Sequence, residues 1–118
     1  MRLLGKRITG IVRPRRVIDQ TLTSQGFVCR KQHPPVYDIR IEDVASGTVY
    51  RLRIPTDSPK QTSGSNDESL LRLGQPSLQR KKCPQGDLRD QPIPSSVLTA
   101  ANEKIAEIAS YLRTPSYH

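Results

Sequence analysis

The sequence predicts an α+β domain: one antiparallel sheet of four to five strands, with a helix over about 13–25 and a second over about 96–113 packed on it. Three observations predict it. "VYDIRIED" and "TVYRLRIP" each alternate apolar and polar residues on either side of "VASG". The last part of the chain carries one apolar stripe at helical spacing. A shorter amphipathic stretch near the start is bracketed by Pro14 and Gly26.

Residues 1–12 are short apolar pieces broken by Gly5 and Gly10, and Ile11-Val12 is either an entry strand or the lead into a helix. Pro14 suits a first helical turn, where its missing N–H costs nothing. Val17, Ile18, Thr21 and Leu22 then share a face with it, opposite Arg15, Arg16, Asp19 and Gln20. Gly26 can take the left-handed conformation that ends a helix. Phe27-Val28-Cys29 reads as a strand, interrupted at His33-Pro34-Pro35 because proline donates no ladder hydrogen bond.

The alternation puts Tyr37, Ile39 and Ile41 inward on one hairpin strand and Tyr50, Leu52 and Ile54 inward on the other, with Asp38, Arg40, Glu42, Arg51 and Arg53 outward. Residues 55–68, rich in Ser, Thr, Pro and Gly, read as a mobile loop. "SLLRLGQP" resumes as a strand, Ser77-Leu78 extends the sheet briefly, and residues 79–94 read as an irregular crossing. Leu98, Ala101, Ile105, Ile108 and Leu112 form the stripe of the second helix, which Ser95 or Ser96 caps and Pro115 ends.

The 118 residues are read as one domain, with an apolar fraction of 34% and only four Tyr and one Phe. That thin apolar content predicts a disordered portion or a core completed by a partner. The charge of +8 is concentrated: residues 1–32 carry eight basic side chains against Asp19 alone, with a smaller group at Arg80, Lys81 and Lys82. Two cysteines are too few for a secreted disulfide scaffold. Neither a signal-peptide core nor a run of about 20 apolar residues is present. The expected location is therefore the cytoplasm, away from membranes.

With the elements in this order, the chain resembles the YugN-like family, small proteins of bacilli and their relatives. The likeness is carried by "LLGKRI", "LTSQGFV", the paired strands "VYDIRI" and "VYRLRIP", "LRLGQPSL" and "CPQGD". These cover most of residues 3–90 in the family's order. The family usually places a Trp-(Asp/Glu)-Tyr-Asp segment ahead of the first hairpin strand, where this chain has Gln32-His33-Pro34-Pro35. A His and a Tyr commonly follow its Leu-Gly-x-Pro strand, where this chain has Arg80, Lys81, Lys82 and Cys83. The resemblance implies a fold and a lineage. It carries over no activity, cofactor or site residue.

Residue chemistry argues against catalysis. The only histidines are His33, without a neighbouring acid, and His118, beyond a helix-ending proline. Acid–base work needs tuned groups in mutual reach. Asp38 and Glu42 lie on the outward strand face, where carboxylates are normally solvated. Cys29 and His33 make one loose pair, short of the four ligands of structural zinc, so no metal and no cofactor is expected. Cys83, beside Lys81 and Lys82, is a candidate reactive thiol. It would alkylate faster than Cys29.

Arg13, Arg15 and Arg16 at a helix start, with Lys6 and Arg7, form a candidate anion-binding patch, which Arg30 and Lys31 can widen. No aromatic residue for base stacking occurs in the first 26 residues, and no nucleic-acid module is recognisable. The favoured reading is a non-catalytic module that binds a protein partner or a second copy of itself. The alternatives are an anion or nucleic-acid binder acting through the amino-terminal arginines, and an enzyme whose site forms from separated residues.

Overall fold

A computed structural model describes Leu3 and residues 5–32, 34–59, 70–82 and 93–113. Among these, six strands form one antiparallel sheet and two α-helices pack on it. The elements run from a single 3-10 turn at Gly5–Arg7 through β1 (Val12–Pro14), α1 (Arg15–Ser24), β2 (Val28–Arg30) and β3 (Val36–Asp43). Then follow β4 (Thr48–Asp57), β5 (Leu70–Leu73), β6 (Ser77–Lys82) and α2 (Ser95–Arg113).

The spatial order is β1-β5-β4-β3-β2, with β6 also paired to β4. β4 is the organising strand. β3 covers one edge of it, from Val36 opposite Pro55 to Asp43 opposite Thr48. On the other edge β6 pairs with residues 49–53, and β5 then takes Thr56 and Asp57.

Helix α1 begins later than the sequence suggests. Pro14 is its N-cap rather than its first turn, with ψ of 142°, because it pairs with Leu70 as the last residue of β1. The helix ends at Gly26, where φ is +98° and the N–H donates to the Thr23 carbonyl at 3.1 Å. A Cβ there would approach Ile39 Cδ1 at 3.2 Å, so glycine meets both a conformational and a spatial demand.

The core lies between the sheet and the helices. It joins Ile18 and Leu22 of α1, Tyr37, Leu52 and Ile54 of the sheet, and Ala101, Ile105, Ile108 and Leu112 of α2. The stripe on α2 starts at Val97, which is buried, whereas Leu98 is half-buried. Leu98 therefore leaves the predicted core. Ile39 and Ile41 are also only partly buried, and pack on the margin of the cluster.

Two further boundaries differ from expectation. Residues 55–57 belong to β4 and not to a loop. The Pro55 carbonyl accepts from Gly74 N–H at 2.8 Å, and Thr56 Oγ1 donates to the Pro35 carbonyl at 2.7 Å. Residues 60–68 of the predicted loop lie outside the described residues. Residues 79–82 belong to β6 and not to an irregular crossing. The edge of β4 offers this polar segment its backbone partners, and Arg80 lies over the Tyr50 ring, 5.6 Å from its centroid.

Candidate functional site

The alternation that sends apolar residues to the core sends a different set to the opposite face. Cross-strand registers place Val28, Asp38, Arg53 and Ser77 in one row, and Arg40, Arg51 and Gln79 in the next. Arg30 and Val36 form a third row with Pro55. Both helices cover the other face.

Asp38 is the centre of this surface and overturns the expectation of a solvated carboxylate. Its side chain is only 3% exposed, although no described helix covers it. Arg30 Nε donates to Asp38 Oδ2 at 3.1 Å. Arg53 Nη2 lies 3.6 Å from the same oxygen, and Arg51 Nε lies 3.9 Å from Oδ1. The long arginine stems thus bury a carboxylate on an otherwise open sheet.

One carboxylate does not balance three guanidiniums. Arg53 Nε is itself buried and has no hydrogen-bond partner among the described residues. Arg40 stands directly opposite Arg51, a like-charge juxtaposition that disfavours the sheet. Arg40 reaches Glu42 at 3.4 Å, where both side chains are largely exposed. The face therefore carries a fixed excess of positive charge over flat backbone. Both Tyr37 and Tyr50 point away from it, into the core side.

The amino-terminal arginines are not gathered into one patch. Arg13 is committed to the end of α2: its Nε donates to the Leu112 carbonyl at 2.8 Å and its Nη1 to the Val12 carbonyl at 2.7 Å. Arg15 and Arg16 are exposed on the first turn of α1. Lys6 and Arg7 are exposed on the 3-10 turn. Arg7 borders a surface depression of about 240 Å³ with Ala106, Ala109, Ser110 and Arg113. The Arg7 carbonyl accepts from Arg113 Nη2 at 2.7 Å. Arg30 does not widen this group, because β2 turns its side chain to Asp38 on the far side of the sheet, while Lys31 is exposed just beyond that strand.

Cys29 shares the core face with Tyr37 and is half-buried. Tyr37 donates its hydroxyl to Asp19 Oδ1 at 3.0 Å. Burial first, then that hydrogen bond and the Asp19 charge, push the phenol well above its ordinary range. His33, Cys83 and His118 lie outside the described residues. Among the described residues, no group of three His, Cys, Asp or Glu side chains is placed to hold a metal ion. No described helix is long and apolar enough to cross a membrane.

Sequence reasoning missed the Asp38 cluster. The signal was present in "YDIRIE" and "YRLRIP": outward acids, Asp38 and Glu42, among outward arginines on paired strands. Placing Arg53 opposite Asp38 required the register, which the turn length alone does not settle.

No protein-family model and no curated protein matches the sequence. Among solved structures, the crystal structure of the uncharacterized conserved protein YugN from Geobacillus kaustophilus HTA426 superposes with a TM-score of 0.66. The match covers 86% of this chain and 85% of that one at 22% identity. An identity this low speaks to architecture, and the architecture agrees with the ordered elements that first suggested the resemblance. The chain has the YugN-like fold.

Proposed function

We propose that this chain is a non-catalytic binding module whose contact surface is the open, arginine-lined face of the sheet, and that it binds an acidic protein surface. The observation that carries the reading is Asp38, buried on a face that no described helix covers and holding Arg30, Arg51 and Arg53 around it. A carboxylate in that position orients guanidiniums without cancelling them. Val28, 53% exposed in the same row as Asp38, adds apolar contact area of the kind protein interfaces use. Two copies of so cationic a face repel each other, which favours a different protein over self-association through this surface. The scarcity of aromatics there removes the stacking platform on which single-stranded nucleic acid is held.

The test is fluorescence anisotropy with labelled polyglutamate and a labelled single-stranded oligonucleotide across a salt series. It compares the wild type with an Arg51→Gln/Arg53→Gln variant and an Arg15→Gln/Arg16→Gln variant. Loss of polyglutamate binding in the first variant alone supports the reading. Loss confined to the second transfers binding to the amino-terminal arginines and the anion or nucleic-acid alternative.

A further inference from the structure

We propose that the arginine face contains a seat for a dianionic phosphoryl group, formed by Arg40, Arg51 and Arg53 beside Asp38, and that the protein partner presents it as a phosphorylated side chain. This inference rests on the reading of that face as the contact surface.

Charge balance is the first argument. Asp38 supplies one negative charge to Arg30, Arg51 and Arg53, which leaves an excess of two positive charges. Arg40 is offset by Glu42 only through an exposed pair. A phosphoryl monoester brings close to two negative charges at neutral pH and three acceptor oxygens. A carboxylate brings one charge and is satisfied by a single arginine fork.

Geometry is the second. Arg51 and Arg53 alternate along one strand, so their backbone positions are roughly 7 Å apart on the same face. Arg40 faces Arg51 across the ladder, within about 5.5 Å at Cβ. Asp38 draws Arg30 closest, through the one hydrogen bond it accepts in the cluster. Arg51 Nε lies too far away to bond to it, and Arg53 Nε is buried without an acceptor. The side chains of Arg51 and Arg53 nevertheless stay 25% and 34% exposed, and donors held in place at the surface are what a tetrahedral oxyanion meets.

The third argument is the tension in the free protein. Like charges opposed on a sheet disfavour the fold, and a bound dianion relieves that repulsion. Folds keep such conflicts mainly where function requires them. Val28, Val36, Val49 and Pro55 share this face, giving a protein backbone apolar footing around the charged seat.

The experiment uses the full chain with its arginine side chains ¹⁵N-labelled. It is titrated with inorganic phosphate, with a short Gly/Ser peptide carrying one phosphoserine, and with the same peptide carrying glutamate. Vesicles of phosphatidylcholine with and without a phosphoinositide form a fourth arm. The expected result is that phosphate and the phosphopeptide both shift the Arg51 and Arg53 Nε signals. The phosphopeptide should bind about tenfold or more tightly than the glutamate peptide. Arg51→Gln should remove that preference while circular dichroism stays unchanged, and Arg15→Gln should retain it. Equal binding of the two peptides overturns the phosphoryl seat but leaves the acidic-partner reading intact. Binding of phosphoinositide vesicles without binding of the phosphopeptide assigns the seat to a lipid headgroup and overturns the proposal. Silence of these signals to every probe, the glutamate peptide included, overturns both readings.

Discussion

Replacing Asp38 with Asn tests whether a single carboxylate organises the open face. Asparagine keeps the size and one acceptor oxygen, so Arg30 Nε, 3.1 Å away, retains a hydrogen bond but loses its charge assistance, worth about 1 kcal/mol. The Arg53 and Arg51 contacts at 3.6 and 3.9 Å involve side chains 34% and 25% exposed, so each is worth about 0.5 kcal/mol. The sum is a loss of about 2 kcal/mol, or roughly 8 °C in Tm for a domain of this size. Urea unfolding in low and high salt measures it. The cost should shrink as salt rises, because the unbalanced arginines repel one another through partly exposed space. Adding Arg53→Gln to Asp38→Asn should cost less than the sum of the two single changes, since it removes one of the repelling charges. A change within about 0.5 kcal/mol at every salt concentration would refute the argument, because that is the behaviour of an ordinary surface substitution.

Other outcomes follow from the same geometry. Arg13→Gln should destabilise by about 1–2 kcal/mol in urea unfolding, because Arg13 holds the Leu112 carbonyl at the negative end of α2, whereas Arg15→Gln should change stability by less than about 0.5 kcal/mol. Any nucleic-acid binding test that mutates Arg13 therefore mixes binding with folding. Tyr37 holds its proton more tightly in the folded chain than in the unfolded one. Its contribution is thus complete below about pH 10 and is lost as the pH rises above it. Tyr37→Phe should cost about 1 kcal/mol at pH 7 and flatten the alkaline limb of the stability profile, read by denaturant midpoints between roughly pH 7 and 12. Gly26→Ala should cost about 1–2 kcal/mol, measured by thermal unfolding, since a side chain is strained at φ of +98° and meets Ile39 Cδ1.

The hairpin and α2 were legible because their periodicities are long enough to exclude other readings. Six alternating residues in β3, Tyr37 to Glu42, and the apolar stripe along α2 each specify a face. The start of α1 was not legible. Pro14 satisfies both a first helical turn and the last position of an edge strand, and only its pairing with Leu70 decides between them. β6 was hidden for a related reason. Its Gln79 to Lys82 run has no strand-like composition and is extended because β4 leaves an edge uncovered. The Asp38 cluster was half visible: the outward direction of each side chain followed from alternation, but its burial depends on three arginines from the two flanking strands, β2 and β4, closing over it. The dispersal of the amino-terminal cations also escaped local reading, since the partner of Arg13 lies almost at the other end of the sequence.

That last pairing bears on how long the folded state persists. Arg13 grips the carbonyl of Leu112 across 99 positions, and Arg113 grips the carbonyl of Arg7 across 106. Among the described contacts these close the longest loops, so they are expected to form after the β3–β4 hairpin and to contribute little to the barrier for folding. Contacts made on the native side of a barrier act on the escape rate instead. The two arginines are in effect a clasp joining the beginning of the described chain to its end. Loosening it should leave refolding nearly as fast as before while the native molecule opens sooner, trading lifetime rather than foldability.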